Sequence, residues 1–90
     1  MPDPHGYGRL LETLRTIEKD LRASGRDADA DEVHRATHFY IGSPSEFLGE
    51  SRLRLERLLQ FGAPLSTETE ALAREAIEGI NMGFRAVGGE

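Results

Sequence analysis

The chain has no cysteine and no tryptophan, and lysine occurs once, at Lys19. Without cysteine it has no disulfide, no thiolate metal ligand, no iron–sulfur ligation and no cysteine nucleophile. No apolar run approaches the roughly 20 residues of a membrane-spanning helix. The first residues also lack the basic and apolar stretches of a secretory signal. These absences predict a cytoplasmic protein that does not enter a membrane, and we expect no cofactor.

The charge balance is acidic, with 16 acidic against 11 basic residues and a formal net charge of −5. Such a charge repels phosphate backbones, so nucleic acid is not an expected partner. The nearest basic cluster, Arg52, Arg54 and Arg57, is interleaved with Glu50 and Glu56 and has no aromatic platform beside it. An acidic surface suits a positively charged protein partner, although solubility alone accounts for the same balance.

Ninety residues are enough for one domain with one modest core. The apolar residues recur with the period of amphipathic helices. We therefore predict an all-α protein, a single compact domain of about four antiparallel helices that form a helical bundle. Residues 1–6 are expected to be a flexible N-terminus, followed by the four-helix domain at 7–88. The helices are expected at about residues 7–23, 30–41, 44–61 and 67–87.

The clearest helix boundary precedes Phe47. Gly42 is predicted to end the second helix in the left-handed conformation, and Ser43 is predicted to cap the third. Pro44 suits the first helical position, and Glu46 completes a capping box. A helix that ends in Tyr40 and Ile41 and continues into this Gly-Ser turn resembles small, acidic, bacterial-looking proteins of immunity-like families. The resemblance covers shape and composition only, and it carries over no functional residue.

Two apolar residues lie apart from the predicted inner faces of their helices. The inner face of the second helix is expected to hold Val33, Ala36, Thr37, Tyr40 and Ile41. Phe39 points away from that stripe at 100° per residue, so either this helix is buried on two sides or Phe39 contacts another molecule. Leu53, between Arg52 and Arg54, is opposite the apolar arc of the third helix. Phe39 and Leu53 are therefore candidate interface residues.

Gly79 and Gly83, four residues apart in the fourth helix, are the other interface candidates. Each costs about 1 kcal/mol relative to alanine in a helix interior, so some close approach should explain them. Gly83 belongs to the predicted inner face, which favours a neighbouring helix of the bundle. A partner chain at these glycines, or a kink near Asn81, are the alternatives.

His34 and His38 are the candidate metal ligands, because two imidazoles four residues apart share a helical face. Arg35 stands where a metalloprotease helix carries glutamate, and no di-iron motif is present. Asp31, one turn before His34, could add a carboxylate. A third and fourth ligand would have to come from another helix, for example from Glu46 or Glu50, or from a symmetry-related copy. The alternative is that both histidines are partly exposed and bind no metal.

No arrangement of residues indicates catalysis. Ser43 and Ser66 suit helix caps, and no nucleophile elbow surrounds any serine. We predict that the chain is not an enzyme but an acidic helical interaction protein, regulatory, adaptor or immunity-like in role. It would act as a homodimer or through a protein partner. The alternative is a small metal- or ligand-binding protein that uses His34 and His38.

Overall fold

The computed structural model of the chain describes residues 7–61 and 65–87, with side chains described as far as Gly83. These residues form four helices and no strand. The helices are α1 (Gly8–Ala23), α2 (Asp27–Thr37), α3 (Pro44–Phe61) and α4 (Thr67–Val87). The predicted all-α helical bundle is confirmed. The predicted flexible residues 1–6 lie outside the described residues.

Neighbouring helices run antiparallel, as their contacts show. Glu18 in α1 contacts His34 in α2, whereas the later residue Arg22 contacts the earlier residue Asp31. The other neighbouring pairs show the same reversal. Between α2 and α3 the contacts are Glu32–Arg54 and Tyr40–Phe47, and between α3 and α4 they are Leu48–Gly83 and Arg52–Asn81. Between α1 and α4 they are Tyr7–Gly83 and Asp20–Thr69. Each helix packs on the next in the chain, and α4 packs on α1. The four helices therefore enclose one core.

The core is built from the inward face of each helix. Its buried apolar residues are Leu14, Ile17, Leu21, Ala30, Val33, Ala36, Phe47, Leu48, Leu55, Leu58, Ala73, Ala76 and Ile80. Ser51 is fully buried among them, and its hydroxyl has no hydrogen-bond partner in the described part of the chain. A buried hydroxyl without a partner costs free energy, because it has lost its hydrogen bonds to water.

The turn after α1 follows a standard helix-ending pattern. Gly25 has a φ of 76°, the only positive φ in residues 7–61 and 65–87. The Gly25 N–H donates to the Arg22 carbonyl, and the Arg26 N–H donates to the Leu21 carbonyl, at 3.0 and 2.8 Å. These two bonds define a Schellman motif, which needs a residue that tolerates the left-handed region. Among the described residues, Gly25 is therefore the glycine that ends a helix in this conformation.

The predicted end of the second helix was wrong. α2 ends at Thr37 rather than near Ile41, and Gly42 has no positive φ. The N–H groups of His38, Phe39 and Tyr40 bond to carbonyls three residues back, so the chain tightens after Thr37 instead of continuing the α-helix. Ile41, expected on the inner face, is 90% exposed as a result.

The start of α2 also differs from the prediction. α2 begins at Asp27, three residues before the expected start at residue 30. Asp27 and Asp29 occupy its first turn, where the helix dipole favours carboxylates. Arg26, which precedes the helix, bonds to Asp29 at 2.8 Å. α3 begins at Pro44, as expected for a proline at the first helical position.

Candidate functional site

A groove of about 420 Å³ lies between α1 and α4. Its lining consists of Tyr7, Arg9, Leu10, Thr13, Leu48, Glu75, Ala76, Glu78, Gly79, Ile80 and Met82. Leu48, Ala76 and Ile80 belong to the buried core, so the groove reaches inward to core side chains. Apolar grooves with a few polar groups at their edges are the common form of binding site in small domains.

Gly79 and Gly83 have different surroundings. At Gly83, an added Cβ would lie 3.4 Å from Leu48 Cδ1 and 3.7 Å from Tyr7 Cε1. A side chain at this position would therefore contact residues of the bundle at ordinary van der Waals distances. At Gly79, apart from its chain neighbours and the backbone of its own helix turn, no atom of the described residues lies within 4 Å of the position of a Cβ, and the residue is exposed in the groove. Packing among the described residues gives no reason for Gly79.

The groove is bordered by unpaired charges of opposite sign. Arg9 is on α1, and Glu75 and Glu78 are on α4; all three are exposed. Within residues 7–61 and 65–83, none of these three side chains forms a hydrogen bond or an ion pair. Met82, on the same border, exposes 61% of its surface. The groove therefore offers an apolar surface with one cationic and one anionic wall.

His34 and His38 lie on the exposed side of the contact between α1 and α2. Their ring centroids are 5.1 Å apart in an edge-to-face arrangement, and His34 Nδ1 lies 3.0 Å from Glu18 Oε1. Glu50, a suggested further ligand, accepts hydrogen bonds from Arg54. Among the described residues no group of three or more histidine, aspartate or glutamate side chains is placed to hold a metal ion. The metal site remains a prediction that rests on the two histidines alone.

Glu18 is the centre of a polar network that joins α1 to α2. Besides its contact with His34, it accepts bonds from Arg22 Nε and a terminal nitrogen at 3.0 and 2.9 Å. Arg22 also bonds to Asp31 at 2.9 Å. Partial burial raises the pKa of Glu18, but the hydrogen bonds and charges of His34 and Arg22 outweigh it, so this pKa lies below its ordinary value. The ionised carboxylate thus helps to hold the two helices together.

The structure separates Phe39 and Leu53 from the groove. Phe39 is partly buried against the core, because it follows the end of α2 in a tight turn where a helical projection no longer applies. Its packing needs no second molecule. Leu53 is 41% exposed on α3 and does not line the groove. Of the interface candidates, only Gly79 and Gly83 are near it.

Sequence reasoning identified Gly79 but missed the groove around it. The missed residues include Arg9 on α1 and Glu75, Glu78 and Met82 on α4. One local signal was available, since Glu75, Gly79 and Met82 are four and three residues apart and share one side of the helix. A methionine beside a glycine on a solvent-facing side indicates a contact surface. No comparable sequence pattern marked the residues that α1 contributes to the groove.

Comparison of the chain with protein-family models, with curated proteins and with solved structures finds no match. In the described part of the chain, no helix combines the length and the apolar character that crossing a bilayer requires.

Proposed function

We propose that the protein is a non-catalytic interaction protein that binds a helix of a partner in the groove between α1 and α4. The observation that carries this proposal is Gly79. It lies in the interior of α4, where glycine is about 1 kcal/mol less favourable than alanine, and it has no close neighbour among the described residues. A backbone that approaches from outside would give this glycine a role.

A helix is the partner element that best suits the groove. Two helices pack with their axes about 8–10 Å apart, and the side chains at the crossing point set that distance. A glycine at the crossing permits the shortest approach. Leu10 and Ile80 in the lining supply apolar contacts, and the charged border supplies orientation. This is the usual division between apolar affinity and polar specificity.

The groove also has the chemistry of a binding surface. Its polar side chains are two carboxylates, one guanidinium, one threonine hydroxyl and the phenol of Tyr7. Its described lining residues include no histidine, the commonest general base, and no nucleophile among them is hydrogen-bonded to the carboxylates. A regulatory, adaptor or immunity-like role and a cytoplasmic location belong to the same proposal.

Site-specific photo-crosslinking tests the proposal. Benzoylphenylalanine at position 82 would report on the groove, and the same group at position 53 is the matched control. Met82 and Leu53 are both exposed apolar residues, but only Met82 borders the groove. In the native host we expect a discrete crosslinked species from position 82 and none from position 53. Gly79→Leu should abolish the species and leave the circular dichroism spectrum unchanged.

Three results would refute the proposed site. They are the absence of a crosslink at position 82, equal crosslinking at positions 82 and 53, and a crosslink that survives Gly79→Leu in a folded protein. Equal crosslinking would show that the two exposed residues do not differ in their access to partners.

A further inference from the structure

We infer that the helix bound in the groove is α4 of a second copy of this chain, related by a two-fold axis that crosses the two α4 helices near Gly79. This inference rests on the proposed function, because it names the occupant of the same groove. It commits to an isologous dimer, in which each copy presents the same residues to the other.

The charges on the groove favour a second copy over a partner of one sign. A basic helix would pair with Glu75 and Glu78 but would face Arg9 with like charge. An acidic helix would pair with Arg9 and repel the two glutamates. An occupant that satisfies both walls must carry both signs in the opposite order. A two-fold axis exchanges the walls, so that Arg9 of each copy faces Glu75 and Glu78 of the partner subunit.

Met82 provides the apolar part of the same contact. It stands at the border of the groove with 61% of its surface exposed, three residues from Gly79. Across the two-fold axis, each Met82 would enter the space that the partner's Gly79 leaves without a side chain. Methionine suits such a space, because its unbranched and flexible chain adapts to irregular gaps. Burial in both copies would remove from water the most exposed large apolar side chain described on α4.

A charge exchange between two variants of the full-length chain tests the inference by light scattering. The 10.0 kDa chain should approach twice that mass over about a hundredfold range of concentration. Arg9→Glu alone, or Glu75→Arg with Glu78→Arg, should raise the dissociation constant by roughly a hundredfold, because like charges then meet at both symmetric contacts. An equimolar mixture of the two variants should restore the dimer, since each introduced charge then faces an opposite one.

Matched charge reversals on α3 serve as controls. Arg57 and Glu56 are exposed, and neither lines the groove. Arg57→Glu and Glu56→Arg each change the net charge by the same amount as a single reversal at the groove. We expect both variants to keep the wild-type dissociation constant.

The inference and the proposed function fail in different ways. A wild-type chain that stays at 10.0 kDa throughout, or a mixture of variants that does not reassociate, overturns the second copy as occupant. Equal weakening by the α3 reversals also overturns it. If position 82 nevertheless crosslinks to a different protein, the groove remains a binding site and only its occupant changes. If position 82 does not crosslink at all, both fail.

Discussion

Replacement of Gly79 by alanine should stabilise the isolated chain, contrary to the usual effect of a substitution. The helix interior favours alanine over glycine by about 0.8–1.0 kcal/mol. At Gly79 the new Cβ would have no atom of the described residues within 4 Å apart from its chain neighbours and local helix backbone, so the substitution meets no clash and gains no packing. The expected increase in the free energy of unfolding is therefore about 1 kcal/mol. For a domain of this size, that corresponds to a rise in Tm of roughly 4–8 °C.

Two further variants in α4 calibrate this value. Ala71 is exposed in the same helix, so Ala71→Gly should lower the free energy of unfolding by about 1 kcal/mol. Gly83→Ala should stabilise the chain less than Gly79→Ala does. Gly83 is closer to the end of α4, where helix propensity counts for less, and its new Cβ would make only an ordinary van der Waals contact with Leu48, at 3.4 Å.

Urea unfolding followed by circular dichroism measures all three variants. The protein concentration must be low enough to keep the chain monomeric, because association adds a concentration-dependent term to stability. Gly79→Ala that is neutral or destabilising would refute the reasoning, since it would mean that the free chain already needs glycine there. If Gly79→Ala instead stabilises the monomer and weakens dimerisation, glycine at this position lowers the stability of the chain and favours its association.

Three other substitutions test a buried hydroxyl, a helix cap and the polar contact between α1 and α2. Ser51→Ala should raise the free energy of unfolding by about 1 kcal/mol in urea, because it removes a buried hydroxyl without a partner; a loss would reveal a partner. Ser66→Ala should lower the free energy of unfolding by about 1 kcal/mol in the same assay, because Ser66 Oγ caps α4 by accepting the Thr69 N–H at 3.1 Å. An unchanged urea midpoint would contradict this cap. Glu18→Gln should cost about 1 kcal/mol at pH 7. The folded-state pKa of Glu18 is lowered, so the stability that its carboxylate contributes is complete above the unfolded pKa of about 4.3 and disappears as pH falls through the folded pKa. The urea midpoints of the wild type and of Glu18→Gln should therefore converge between pH 7 and pH 3. A difference that persists in acid would show that the ionised carboxylate is not its cause.

Most helix positions were predictable because their signals are local. Pro44 begins α3, and residues 7–23, 44–61 and 67–87 were expected to be helical, each bound agreeing with the structure to within one residue. Apolar spacing, caps and helix-ending glycines act over three or four residues, so the sequence displays them directly. α2 was misplaced because the tight turn that packs Phe39 and Tyr40 against the core competes with the helical pattern.

The sequence by itself determined that this chain forms four amphipathic helices with one core, since the spacing of apolar residues within each helix selects the face that is buried. Only the tertiary structure decided which glycine is internally packed. Gly79 and Gly83 are equivalent as a sequence pattern, yet one faces an open groove and the other contacts Leu48 and Tyr7. The difference depends on where α1, from the other end of the chain, lies against α4. That placement follows from the packing of the whole core, and no local spacing records it.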